Sequence, residues 1–296
     1  MYRKLSVLLF LICFFSVWTV FADPSERAST DPWRILKVLY ESYPGVITSI
    51  DYDFTLEDWY LESGATRLYW AEGRLLKEQD IPKRLSWRAY IDYSYPSKIP
   101  DPVNFSPEVI ASLNAELLTE KRKNTQDYNS AFFELLYDGA TRRKIESQLI
   151  RFDYLGKRVS VHKKIEAPLK RVESRINILA NEFPEVRLFI DTIESIDGYN
   201  WREVRDTNSR SNHSWGIAID ILPKGWGKKN IYWNWLSYWN DLWMLIPLDQ
   251  RWMPPLSVIR IFEEEGFIWG GKWHLWDNMH FEYRPELLRL QKSGYN

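Results

Sequence analysis

The chain is poor in the residues that usually build closed metal sites and covalent cross-links. It carries one cysteine, Cys13, in 296 residues, so it can form no internal disulfide and no thiolate cluster. Only four histidines are present, His162, His213, His274 and His280, and each can be weighed singly. Neither sign of charge dominates: 39 basic against 40 acidic residues leave a net charge of −1, which gives no global case for binding nucleic acid. Glycine and proline are few, 13 and 15, and 45% of residues are hydrophobic, which excludes collagen-like, low-complexity and disordered chains.

Long apolar runs are also scarce, and the clearest lies at the N-terminus. Arg3 and Lys4 precede an apolar stretch from Leu5 to Phe21, and Val20-Phe21-Ala22 stands before Asp23 as a cleavage site. This is the layout of an export signal over 1–22. The run is close to the ~20 residues that cross a bilayer, so a retained anchor is the alternative. Bulky Ile12 argues against a lipidated Cys13, because a small residue should precede it. With the signal removed, Cys13 leaves too, and the expected product is a cysteine-free exported protein of the periplasm or cell envelope without a stable membrane span.

The remaining length, about 274 residues, is large for one compact domain and suits a domain plus an accessory region. A proline-rich break runs from Tyr95 to Glu108, with Pro96, Pro100, Pro102 and Pro107, where neither helix nor central strand persists. An N-terminal accessory region is therefore expected over 23–130 and a second domain over 131–296. Asp31-Pro32 opens a helix, and Thr66 to Ala71 alternates like a strand. Ser106-Pro107-Glu108 starts another helix, with Val109, Ile110, Leu113 and Leu117 at helical spacing. Arg158 to His162 reads as a strand, Ala167 to Ala180 as an amphipathic helix, Val186 to Ile193 as a buried strand and Leu256 to Glu265 as a helix stopped by Gly266.

The chemistry gathers in the last hundred residues. In Ser211-Asn212-His213-Ser214-Trp215-Gly216-Ile217-Ala218-Ile219-Asp220, Ile217, Ile219 and Ile221 share one face of a strand. Ala218 and Asp220 share the other, so a carboxylate stands beside a side chain too small to cover it. If His213 and Asp220 bind one metal, no regular element can join them: a helix would separate them by about 10.5 Å and a strand would point them to opposite faces. A turn is needed, and Gly216 is where it fits. A second stretch, Asp277-Asn278-Met279-His280-Phe281-Glu282-Tyr283, alternates as a strand with a core face and a polar face. Paired beside the first strand, it brings His280 next to Asp220. Two imidazoles and one carboxylate with a fourth position open make a catalytic rather than a structural Zn2+ site. Asp277 is then placed as general base toward a metal-activated water. Glu282 shares the site face and can orient a ligand histidine through its second nitrogen. His162, beside Lys163 and Lys164, reads as structural.

Trp235, Trp239 and Trp243 recur at i, i+4 and i+8, which predicts one stripe of a helix packed on the sheet, with sugar stacking as the alternative. Trp226 and Trp233 are the better candidates for a cleft wall.

The ten-residue stretch matches the pattern S-x-H-x-x-G-x-A-x-D at Ser211, His213, Gly216, Ala218 and Asp220, and Asp277 with His280 supplies D-x-x-H. Together they resemble the signatures of the VanX/VanY-type D-alanyl-D-alanine carboxypeptidase family of zinc peptidases. The likeness is greatest to the L-alanyl-D-glutamate endopeptidase-like branch, on Trp269-Gly270-Gly271-Lys272-Trp273 and on Gly198-Tyr199-Asn200-Trp201-Arg202. The signature motifs lie within 198–283. The resemblance implies His213, Asp220 and His280 as zinc ligands and Asp277 as the base, where many members carry glutamate. It also implies an arginine that polarises the substrate carbonyl. Arg202 is the positional match, with Arg205 or Arg210 as alternatives because Asn200 and Trp201 interrupt the usual order. Ser211 either contacts substrate or organises the turn before His213, and His274 either donates a hydrogen bond near the metal or is structural. The expected fold is α+β, a mainly antiparallel sheet carrying the zinc site and flanked by helices. The expected activity is hydrolysis of peptidoglycan stem peptides, as carboxypeptidase or endopeptidase. A non-catalytic zinc-binding or wall-binding protein on the same scaffold is the alternative.

Overall fold

The computed structural model describes residues 31–90, 94–115, 126–204 and 209–293. The export signal expected over 1–22 and the candidate Arg205 lie outside the described residues. Among the described residues no helix is long and apolar enough to cross a membrane.

Among the described residues, three antiparallel sheets succeed one another along the chain. Helix α1 (Pro32–Ser42) leads into a meander of β1 (Ser49–Asp53), β2 (Asp58–Ser63) and β3 (Thr66–Tyr69). After the proline-rich segment, which holds only a short 3-10 turn at Pro102–Asn104, come α2 (Pro107–Ala115), α3 (Ala131–Tyr137) and α4 (Arg142–Glu146). The next pair, β4 (Leu149–Tyr154) and β5 (Lys157–His162), forms a hairpin, and α5 (Glu166–Leu179) and α6 (Pro184–Asp191) follow. The last sheet has the order β6 (Ile193–Asp197), β7 (Ala218–Pro223), β9 (His280–Tyr283), β8 (Phe267–Trp269), with every neighbouring pair antiparallel. Helices α7 (Trp233–Leu236), α8 (Leu256–Glu264) and α9 (Pro285–Lys292) complete the chain. This mixture of helices with antiparallel sheet agrees with the α+β expectation.

Two expected elements differ. Val186 to Ile193 is not a strand: Pro184 and Glu185 begin helix α6, and Val186 and Phe189, three residues apart, are its buried positions. Proline at the first helical position is pre-shaped for a helix start, and only after Thr192 does the strand β6 begin. The tryptophan stripe does not lie on one helix. Helix α7 ends at Leu236, Asn240 turns the chain by accepting from the Leu242 amide at 2.9 Å, and Trp243 sits in a separate 3-10 turn. Trp243 is wholly buried while Trp239 is 68% exposed. The other expected helices form, although Leu117, counted on the helix after Ser106, lies outside the described residues.

From Pro32 onward the chain packs as one compact unit. Ile35, Leu36 and Leu39 of α1 share a hydrophobic cluster with Leu169, Ile219, Phe262, Phe281 and Leu290. Residues on both sides of position 130 therefore build one core. In the last sheet, Ile219 and Phe281 point to that core, where Phe281 stacks on Phe262 at 3.9 Å. The alternation that buries them presents Ala218, Asp220, His280 and Glu282 on the opposite face.

Candidate metal centre

The pairing of β7 with β9 sets Asp220 opposite His280 and Ala218 opposite Glu282. The third ligand candidate arrives on the 3-10 turn Asn212–Trp215, which Ser211 caps by accepting from the His213 amide at 3.3 Å. Gly216 ends this turn in the left-handed region, φ +68°, a conformation that costs glycine least. The turn expected between His213 and Asp220 is thus present. Ser211 is itself buried, and its hydroxyl takes part in this cap.

The three side chains converge. One ligand atom from each of His213, Asp220 and His280 lies within 4.8 Å of the others. His213 Nε2 is 3.2 Å from Asp220 Oδ2 and 3.3 Å from His280 Nδ1, which is 2.9 Å from Asp220 Oδ1. A tetrahedron with ligands about 2.0–2.1 Å from its centre has edges of about 3.3 Å, so these separations fit a small tetrahedral cation. The remaining ring nitrogens are both engaged. His213 Nδ1 is 2.7 Å from the Gly198 carbonyl, and His280 Nε2 is 3.0 Å from Glu282 Oε2. Each outer acceptor takes the ring proton and leaves the inward nitrogen with its lone pair. Glu282 is steadied in turn by Asn212, whose amide donates to Oε2 at 2.6 Å.

Burial alone would push the His280 pKa down, but hydrogen bonds to Asp220 and Glu282 outweigh it and raise the pKa well above the ordinary histidine value. His213, and after it His280, draws Asp220 below the usual carboxylate range against its burial, and His280 helps hold Glu282 at about 2.

Asp277 stands next to this cluster. Its amide donates to the Gly270 carbonyl at 3.0 Å, and its own carbonyl accepts from the His280 amide at 3.3 Å. Gly270 permits this approach, because a Cβ there would lie 2.6 Å from the Asp277 carbonyl oxygen. The Asp277 carboxylate accepts from the Met279 amide, yet Oδ1 is buried without a hydrogen-bond partner. Burial, then the negative charge of Asp220, pushes its pKa up to about 8.

Of the candidate arginines, Arg202 lines a cleft of about 510 Å³ together with His213, Asp220, Arg151 and Arg158. Its positive charge also acts on Asp277. Arg210 is held elsewhere, its guanidinium 4.0 Å from the Trp201 ring and 3.7 Å from the Trp215 ring. It lines a larger cleft of about 920 Å³ that meets the first at Arg202. His274 lies against Phe105, ring centres 5.7 Å apart, outside the ligand cluster. His162 is fully buried between the Tyr137 carbonyl and the Lys164 amide, and burial pulls it down to about 4. That is a structural histidine, as its sequence surroundings suggest. Trp226 and Trp233 line neither cleft: Trp226 packs on Trp235 and Trp233 on Trp243.

The comparisons with known proteins bear on this same stretch. Residues 205–283 match the family model described as D-alanyl-D-alanine carboxypeptidase. The match includes His213, Asp220, Asp277 and His280 and supports a peptidase that acts on cell-wall peptides. Residues 35–92 match a domain family of unknown function. Neither the curated proteins nor the solved structures give a match.

Sequence reasoning missed several neighbours. The Gly198 carbonyl, Asn212, and the hairpin arginines Arg151 and Arg158 carry no signal of their own. Asn212 occupies a variable place inside the first pattern, and the arginines look like ordinary charges on an exposed hairpin.

Proposed function

We propose that the protein is an exported zinc metallopeptidase that hydrolyses peptidoglycan stem peptides, either releasing terminal D-alanine or cutting between L-alanine and D-glutamate. The observation that carries this reading is a ligand set at tetrahedral spacing with a second acid, Asp277, buried beside it and left with an unpaired oxygen. The family match over the same residues agrees with it. Export rests on the signal layout of residues 1–22.

His213, Asp220 and His280 would hold the zinc ion, which when bound supplies a Lewis acid and makes a nearby water acidic enough to attack near neutral pH. The other roles belong to the chain. Asp277 accepts a proton from the attacking water and passes it to the leaving amine. Arg202 donates to the oxygen of the scissile carbonyl as negative charge develops there. Gly198 and Glu282 keep the two imidazoles in the tautomers that face inward. The cleft lining sets Arg151, Arg158 and Arg202 against Asp197 and Asp220, and this excess of guanidinium groups favours a substrate rich in carboxylates, as wall stem peptides are.

The rival reading is a non-catalytic metal-binding scaffold. Asp277 speaks against it, since a purely structural site gains nothing from a buried acid that is not a ligand. Mass spectrometry of peptidoglycan fragments after digestion, with and without a chelator, tests the proposal and identifies the bond cut. Released D-alanine or a new D-glutamate amine, lost on chelation, is the expected result. Retained zinc with no product, and no change on Asp277→Ala, would establish the scaffold instead.

A further inference from the structure

The metal cluster does not end at Glu282. Its second oxygen, Oε1, accepts from Arg284 Nη1 at 3.4 Å, and Arg284 is itself buried. Arg284 Nε donates to Glu286 Oε1 at 2.6 Å, and Arg284 Nη2 donates to the Tyr90 hydroxyl at 2.8 Å. Tyr90 in turn donates to Glu286 Oε1 at 2.6 Å, and Tyr43 donates to Glu286 Oε2 at 2.5 Å. Glu286 is fully inaccessible to solvent. A continuous buried chain thus runs from His280 through Glu282, Arg284 and Glu286 to two tyrosines roughly two hundred residues away in sequence.

Tyr43 and Tyr90 both fall in the segment 35–92 that matches a domain of unknown function, whereas Glu282 falls in the peptidase match. The chain is the polar link between them. Two carboxylates compete for Arg284, and its remaining donor faces only the Tyr90 hydroxyl. Burial raises the Tyr90 and Tyr43 pKa values well above that of an ordinary phenol, so both hydroxyls keep the protons they donate. Without the Tyr90 hydroxyl, Arg284 Nη2 loses its protein partner at the wall of the cleft of about 920 Å³ that Tyr90, Glu282 and Arg284 line, which favours movement of the guanidinium toward that cleft. Movement of Arg284 leaves Asn212 as the remaining support of Glu282, and loosens the hydrogen bond that fixes which His280 nitrogen turns inward.

We propose that the 35–92 segment serves as an arm of the metal centre, with Tyr90, aided by Tyr43, as a positioning residue that orients His280 through Glu286, Arg284 and Glu282. The inference rests on the peptidase reading only in taking His280 as a ligand. Outer-shell partners of ligand histidines typically change metal affinity by about 10–100-fold, and Tyr90, two links beyond Glu282, should fall at the lower end.

The test uses the full chain and needs no substrate. Zinc affinity is measured by competition with a chelating dye, and the absorption spectrum of the cobalt-substituted protein is recorded, each below the unfolding midpoint of the variant. Tyr90→Phe should weaken zinc binding by about 10-fold and shift the cobalt spectrum. Tyr43→Phe, whose hydroxyl reaches the chain through Glu286 alone, should act in the same direction and less, and it stands in if Tyr90→Phe fails to fold. Tyr154→Phe is the control, a buried hydroxyl with no partner and no link to the chain, and should change neither reading. A lower melting point for Tyr90→Phe with wild-type zinc affinity and spectrum would overturn the proposal and leave Tyr90 a core residue. Wild-type protein that takes up zinc but cleaves no wall peptide would overturn the peptidase reading alone.

Discussion

Replacing Asp277 with asparagine should make the protein more stable and less active at once. The carboxyl pKa is pushed from 3.8 to about 8 in the folded chain, so near neutral pH folding must protonate a group that is ionised when unfolded. Each pK unit corresponds to about 1.4 kcal/mol, and the gap between pH 7 and the unfolded value of 3.8 therefore costs up to about 4 kcal/mol. The sign follows from the raised value. The native state binds this proton more tightly than the unfolded state, so the Asp277 contribution is most favourable below pH 3.8 and is lost as pH rises toward 8. Asparagine keeps the size and carries no charge to suppress. In chelator, Asp277→Asn should match wild type near pH 4 and exceed it by a margin that widens toward pH 8, read from urea unfolding at a series of pH values. With zinc added the margin should shrink, because a divalent cation beside the carboxylate offsets Asp220. Turnover of a defined stem peptide should fall by about 10²–10⁴-fold, the usual contribution of a general base, with zinc content unchanged. A variant that cleaves at the wild-type rate, or a stability difference flat across this pH range, would refute the reasoning.

The other expectations concern the proton on His280, the support beneath Asp277 and the lining of the cleft. Zinc uptake must displace the proton that Asp220 and Glu282 hold on His280, so apparent affinity should rise about tenfold per pH unit while that proton remains; pH-independent competition titrations would contradict this. Gly270→Ala puts a Cβ 2.6 Å from the Asp277 carbonyl oxygen. It should cost about 1–3 kcal/mol, as overpacking does, and lower kcat even where the protein is fully folded; unaltered kcat would separate Asp277 from this support. Arg151→Ala should raise KM about threefold for a peptide with a free carboxylate near the scissile bond, the scale of an exposed ion pair. An otherwise identical amidated peptide should be unaffected, and equal losses on both would remove Arg151 from recognition.

The β7 and β9 pairing is legible in the sequence because one face of each strand is almost purely apolar. With a side-chain period of two, a slip by one residue would bury Asp220 and His280 among Phe262 and Phe267 and expose Ile219 and Phe281. That constraint alone sets the two ligands side by side. The turn at Gly216 is legible for a similar reason, since neither helix nor strand can bring His213 back to Asp220. Helix α6 is misread because Val186 to Ile193 is apolar enough to satisfy either period, and the deciding residue, Pro184, lies just outside the window. The tryptophan stripe fails in the opposite way. Its i, i+4, i+8 spacing suits a helix, but Asn240 supplies a competing side-chain hydrogen bond to the backbone, the means by which such residues end helices. Arg284 and Glu286 leave no trace as site residues. At the end of a strand and the start of a helix they read as surface charges, and their tyrosine partners lie too far off in sequence for local pattern to reveal.

The distribution of hydrogen bonds separates a working site from a structural one. Asp220, His280 and Glu282 are each less than a tenth exposed, and burying such groups without partners would cost several kcal/mol apiece, on the order expected for unpaired buried charges. The chain supplies partners for all three, and extends the same courtesy outward to Arg284 and Glu286 through two tyrosines. Among the described carboxylates it leaves Asp277 Oδ1 buried without a partner, close in sequence to the unpartnered indole N–H groups of Trp273 and Trp276. A scaffold able to satisfy five buried ionisable groups could have satisfied a sixth, or used an apolar residue of similar size. An unmatched oxygen beside three ligand atoms is therefore best understood as reserved for a group that arrives from outside, a water or a substrate amide. This makes Asp277, more than the ligands themselves, the residue on which the distinction between enzyme and metal-binding scaffold turns.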